Sequence, residues 1–185
     1  CEDGRRFTAD HLVFCSGADL PSLLQLVNQD LGPYQVTSGQ LSDLPSTTSL
    51  APSRIALNYS GYLTPVIEGR QYLGAGFDPT GDTAVTAAGH LHNLELMPSE
   101  LRDLAGDPSA WRGRTSRRLA YPDRLPLAGP LMPGVSVVSA LGARGLTLAS
   151  LIGKSVARQI TGHVPPLPYQ IMSGLNPQRF FEKKL

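Results

Sequence analysis

Cysteine is nearly absent from the sequence: Cys1 and Cys15 are the only two in 185 residues. Neither belongs to a Cys-x-x-Cys pair or stands at ligand spacing from a histidine, which excludes a disulfide framework and a thiolate-held metal. Cys15 lies in an apolar run and reads as a buried, reduced thiol, which fits a reducing cytoplasm. Long hydrophobic runs are missing too. No stretch approaches the roughly 18 apolar residues of a membrane span, and no signal peptide is visible. Charge is scarce, at 17% of residues with a net value of +1, so no global field draws the protein to nucleic acid. Any such attraction must be local. His90-x-His92 lacks an acidic or thiol partner nearby and reads as a loop, so no metal is expected.

What is plentiful is turn material: 19 glycines and 16 prolines beside 41% hydrophobic residues. That composition suits one globular core rich in strands and turns, an α/β or α+β mixture rather than a helical bundle. "DHLVFCSGAD" (10–19) predicts a buried strand ending in a glycine turn, and "LPSLLQLVNQDLG" (20–32) a short helix. Short alternating runs through "SRIALNYSGYLTPVIEGRQYLGAGFD" predict antiparallel hairpins, and "LMPSELRDLAGD" (96–107) another helix, capped by Pro98 or Ser99. Residues 111–134 read as irregular, and the tail after Gly162 as a proline-rich surface crossing. Between them, "VSVVSALGARGLTLASLIGKSVARQITG" (135–162) predicts strand, turn and helix, with Leu148, Ile152, Val156 and Ile160 forming one apolar stripe. The expected organisation is a nucleotide-binding layer over 1–33 and 114–185, interrupted by an antiparallel substrate sheet over 34–113. The chain opens on Cys rather than Met, and the expectation is that the protein continues upstream.

The Gly-Ala-Arg-Gly turn raises the question of function. A helix N-terminus offers unpaired N–H groups and the positive end of a dipole, and glycines let a ligand come close. Arg144 would add a planar fork suited to a carboxylate. Five arginines crowd into residues 112–124: Arg112, Arg114, Arg117, Arg118 and Arg124. They read either as a solvated basic segment or as a pocket arginine with a phosphate-binding rim.

"RRLAYPDRLPLAG", "GVSVVSALGARGLTLASLIG" and "LNPQRFF" resemble the C-terminal half of FAD-dependent oxidoreductases of the D-amino-acid and glycine oxidase class. Within that class the resemblance is to the oxidoreductase domain of bifunctional tRNA 5-methylaminomethyl-2-thiouridine biosynthesis proteins; "SGYLTPVIEGRQYLGAGFD" resembles its substrate-sheet hairpin. The strand–GxGxxG–helix unit that opens this fold is absent, since "GAGFDPTG" lacks the spacing. The first half of the domain is therefore expected upstream, with a methyltransferase domain using S-adenosylmethionine, and this chain by itself is expected to hold only part of an FAD site.

The resemblance implies oxidation of a C–N bond by hydride transfer to flavin, removing the carboxymethyl group of 5-carboxymethylaminomethyl-(2-thio)uridine in a tRNA anticodon loop and releasing glyoxylate. It matches Arg118 and Arg144 to the arginines that hold the substrate carboxylate, and Tyr62 to a pocket tyrosine. Gly142, Ala143, Arg144, Gly145, Leu146 and Thr147 would face the flavin pyrimidine edge, and Gly17 and Ala18 the adenosine-pyrophosphate half. Arg112, Arg114 and Arg117 would form the phosphate rim. Two alternatives stay open: a small-molecule amine oxidase of glycine or sarcosine type, and a non-catalytic fragment without flavin. An unpaired sheet edge would favour self-association.

Overall fold

The computed structural model describes residues 4–45, 49–50 and 53–180. In chain order the elements are β1 (Leu12–Phe14), α1 (Leu20–Gln25), β2 (Gln35–Pro45), β3 (Leu57–Asn58), β4 (Tyr62–Leu63) and β5 (Arg70–Gly74). There follow α2 (Ala87–Leu96), α3 (Ser99–Arg102), β6 (Arg112–Ala120), β7 (Leu127–Met132), β8 (Val135–Ser139), α4 (Gly145–Ile160) and α5 (Tyr169–Leu175). The chain divides into two units, Cys1–Gln35 with Arg118–Leu185, and Val36–Arg117.

The first unit is built on a sheet of order β1-β8-β7. β1 runs parallel to β8, with Leu12 opposite Val135 and Phe14 opposite Val137, while β7 and β8 form an antiparallel hairpin. Its turn contains Gly134 at φ 73°, a left-handed conformation that glycine adopts without a Cβ penalty. The apolar stripe of α4 packs as its spacing predicts: Ile152 and Val156 join Ala128, Met172 and Leu175 in one core, with Leu148 and Ile160 against it. Each such side chain, fully buried, contributes roughly 1.5–3 kcal/mol. The tail is more than a surface crossing, because α5 places Met172 and Leu175 in that core.

Two expectations for this unit need correction. Cys15 is exposed rather than buried. β1 is the terminal strand of its sheet and only Phe14 turns inward, leaving Leu12 and Val13 at 47% and 37% exposure. The helix after β1 ends at Gln25 instead of running to residue 32. Asn28 adopts φ 52°, and the amide of Gln29 turns back to the carbonyl of Leu24, closing the helix early.

The second unit carries the antiparallel sheet, in the order β3-β4-β5-β2-β6. Leu44, Leu63, Leu73, Met97 and Trp111 form its core. α2 packs over this sheet through polar residues. Asn93 Nδ2 donates to the Gln40 carbonyl (2.9 Å) and to Ser42 Oγ (3.0 Å), and Ser42 lies 2.8 Å from His90 Nδ1. With its oxygen already accepting from Asn93, the Ser42 hydroxyl donates to His90. The His90-x-His92 segment is thus a helix and not a loop, with Thr86 capping it by accepting from the Gly89 amide. The segment read as irregular contains two strands, β6 and β7.

Candidate functional site

In the first unit, the C-terminal ends of β1 and β8 both run into glycine turns, the position at which open parallel sheets receive ligands. Gly17 opens a single 3-10 turn at φ 59°, and Gly142 opens another at φ 60° just before α4. A Cβ added at either glycine meets no heavy atom within 4 Å, so both turns present open backbone. Ser139 Oγ donates to the Gly17 carbonyl at 3.0 Å and ties one turn to the other. Ser16 Oγ is buried and has no hydrogen-bond partner among the described residues. A buried hydroxyl left unpaired costs about 1–3 kcal/mol, and a ligand group at this crevice would recover it.

The start of α4 completes the crevice. Its N-cap position is Arg144, whose side chain makes no capping hydrogen bond, so the first-turn N–H groups stay available. Leu146 is 100% exposed, and Ala143, Arg144 and Thr147 are exposed beside it. Ala140, just before the turn, is buried at φ 53°, a left-handed conformation rarely taken by a residue with a side chain.

Gly17, Ala18 and Gly142–Thr147 therefore lie at the two glycine turns of one unit. Arg118 is half-buried near the end of β6 and Arg144 is exposed; both belong to this unit. Among the described residues neither guanidinium has a hydrogen-bond or ion-pair partner. Tyr62 lies in the second unit, on β4 at 38% exposure. Its ring lies over Gly74 of β5, where an added Cβ would come within 3.5 Å of the tyrosine hydroxyl. On β6, Arg112, Arg114 and Ser116 are exposed, alternating with Gly113 and Thr115. Arg117 already engages another group of the chain.

The profile of the FAD dependent oxidoreductase family matches residues 1–159. The chain belongs to that family. The residues present fit its cofactor: two open glycine turns, an orphaned buried hydroxyl and an uncapped helix N-terminus suit a dinucleotide's phosphates and ring edge. Among curated relatives, the tRNA 5-methylaminomethyl-2-thiouridine biosynthesis bifunctional protein MnmC of Aeromonas salmonicida is 32% identical over 99% of this chain. The chain spans about a third of that relative's length. Among solved structures, glycine oxidase from Geobacillus kaustophilus aligns over 94% of this chain and 46% of its own, with a TM-score of 0.74 at 22% identity. Iminodiacetate oxidase from Chelativorans sp. BNC1 aligns over 90% of this chain and 46% of its own, with a TM-score of 0.68 at 25% identity. The mixed α/β fold of the glycine oxidase type is thus the fold of this family member.

Sequence reasoning missed Ser16 and Ser139, since single serines at a strand end or turn carry no periodic signal. It also left the "LNPQRF" segment without a physical role. Arg179 bonds Asp123 at 2.8 Å and donates to the carbonyls of Leu175, Asn176 and Leu125. It also lies 4.4 Å from the centre of the Phe180 ring. The motif is a clamp that fastens the tail to the loop after β6. Among the described residues no group of three metal-ligating side chains exists.

Proposed function

We propose that this chain is the C-terminal part of the oxidoreductase half of a tRNA wobble-uridine modification protein, acting on 5-carboxymethylaminomethyl-(2-thio)uridine. The observation that carries the reading is the pair of linked glycine turns with the orphaned Ser16 hydroxyl, beside an arginine without an internal partner. Similarity to a relative named for tRNA 5-methylaminomethyl-2-thiouridine biosynthesis supports the substrate assignment.

Ser16, Gly17 and Ala18 with the backbone of Gly142–Thr147 would hold FAD, which when bound supplies two-electron oxidation of the C–N bond. Arg118 and Arg144 bind the substrate carboxylate, for which a planar guanidinium offers a bidentate match. Tyr62 is proposed as a substrate-binding tyrosine on the strength of the family resemblance alone. The first-turn amides of α4 are preorganised donors for negative charge, commonly worth a few kcal/mol each. No side chain is assigned as general base: the substrate amine need only arrive unprotonated, which a partly apolar surrounding favours.

The target base must be splayed out of its loop, and Arg112 and Arg114 grip the flanking phosphates. Such a substrate places the reaction in the cytoplasm. The word bifunctional in the relative's name agrees with a partner activity, proposed to be an S-adenosylmethionine-dependent methyltransferase.

Similarity at 25% identity to a protein named iminodiacetate oxidase favours a second reading, a small secondary-amine oxidase. One experiment separates the two. The FAD-loaded protein is mixed anaerobically with carboxymethylaminomethyl-tRNA, with iminodiacetate and with glycine, and the visible flavin band is followed. Bleaching by the tRNA alone supports the tRNA reading. Bleaching by iminodiacetate or glycine but not by tRNA supports the second. Failure of the parent protein, which adds the proposed upstream half of the oxidoreductase domain, to retain FAD would remove both.

A further inference from the structure

Away from the glycine turns, the first unit holds a second concavity of about 310 Å³. Tyr34 and Tyr121 form its walls, and Leu24 and Leu31 lie at its base. Among the described residues Asp30 is the only charged one that lines it; the remaining polar side chains are glutamine amides and the tyrosine hydroxyls.

The two rings stand 6.5 Å apart, centre to centre, with their planes at 57°. Tyr121 is nearly immobilised. It is 2% exposed, and one face stacks on Phe180 at 4.9 Å with the planes 30° apart. Phe180 in turn lies under the Arg179 guanidinium, which Asp123 holds from the other side. Burial, followed by the Asp30 carboxylate and then Tyr34, pushes the Tyr121 hydroxyl up to about 12 against a smaller opposing pull from Arg179, so the phenol stays neutral throughout the physiological range. The same ordering of causes places the Asp30 charge within electrostatic reach of that ring. Asp30 is itself positioned, because its Oδ1 accepts from the Gly32 amide at 2.9 Å. Its Oδ2 has no partner among the described residues.

Aromatic rings attract cations through their quadrupoles, and a carboxylate lining the same cleft adds a full opposite charge. Leucine at the base suits methylene groups. Among the described residues that line the cleft no cation offsets the Asp30 charge; Arg179 acts on Tyr121 from outside that lining. We propose that this cleft binds an alkylammonium group, its charged head between Tyr34, Tyr121 and Asp30 and its aliphatic stem over Leu24 and Leu31. The proposal is independent of the tRNA reading and of FAD.

The test is a titration of the purified protein with n-butylammonium chloride, read by NMR shifts of the Tyr34 and Tyr121 rings. n-Butanol and butyrate serve as neutral and anionic compounds with a similar stem. The expected result is saturable binding of the ammonium, about tenfold weaker binding of butanol and none of butyrate. Asp30→Asn and Tyr34→Ala should each weaken the ammonium about fivefold or more. Both positions are exposed, so the fold survives, checked by unchanged methyl resonances of Ile152 and Met172 in the core of the same unit. Butanol binding as tightly as the ammonium, or Asp30→Asn leaving affinity unchanged, overturns the proposal. Putrescine and Nα-acetyl-lysine methylamide then compete against butylammonium. Tighter putrescine identifies a free diamine as the ligand type, and tighter lysine derivative a protein side chain. Failure of both to compete also overturns it.

Discussion

Burial holds His90 neutral, and desolvation lowers its pKa below the ordinary value of 6.5. Its Nδ1 accepts from Ser42, so a proton there would have to displace an existing hydrogen bond. The unfolded chain takes up that proton as pH falls through 6.5, whereas the folded chain resists until its lower pKa. The unfolded state then binds more protons and folding stability declines. Urea midpoints should therefore hold steady above about pH 7 and fall as the pH drops through the His90 window. His90→Asn keeps an acceptor near the Nδ1 position and should flatten that decline. At the candidate site, loss of a charge-assisted hydrogen bond costs about 1.5–3 kcal/mol, or roughly one to two decades in rate. Arg118→Ala in the FAD-loaded protein should lower kcat/KM by that amount in steady-state turnover, mostly through KM. Arg118→Lys should fall in between, since it keeps the charge and loses the fork.

Among the elements, the β4–β5 pair shows how closely two strands depend on glycine. Tyr62 pairs with Gly74, and a Cβ on Gly61 would come 2.5 Å from the Gly74 carbonyl oxygen. That oxygen is backbone and cannot turn aside. Gly61→Ala should cost about 1–3 kcal/mol in denaturant unfolding and shift the Tyr62 ring. α4 offers the opposite contrast along a single helix. Ile152 is 3% exposed in the core, so Ile152→Ala should cost about 2–5 kcal/mol. Leu146 is fully exposed, and Leu146→Ser should stay within about 0.5 kcal/mol by the same measurement. α4 was legible because its stripe is apolar at four-residue spacing. α2 was not: the residues it buries are His90 and Asn93, three apart as on one helix face, but both are polar. A search for apolar periodicity passes over such a helix. Thr86 followed by two alanines was the N-terminal signal that could have found it. β6 escaped for a related reason, because its period-two alternation sets arginine and serine against glycine and threonine.

For the whole molecule, a net charge of +1 means that any RNA affinity must come from local cations rather than an overall field. If Arg112 and Arg114 each neutralise one phosphate, replacing both with serine should lower the slope of log K against log salt by roughly 1.4–1.8 and weaken tRNA binding at every salt concentration. Equilibrium binding over a salt series checks this. Some features of the protein were decided by local chemistry and could be read directly. The turn around Gly142 needs a residue tolerant of positive φ, α4 needs a continuous apolar stripe, and β8 needs branched residues; each requirement is met by neighbours in the chain. Other features depend on partners far away in sequence. Whether Cys15 is buried depends on β1 standing at the edge of its sheet, and the role of Arg179 depends on Asp123 arriving beside it. Burial and long-range hydrogen bonds are properties of the assembled chain. No window of neighbouring residues contains them, so the tertiary structure alone decided the clamp, the polar core under α2 and the tyrosine cleft.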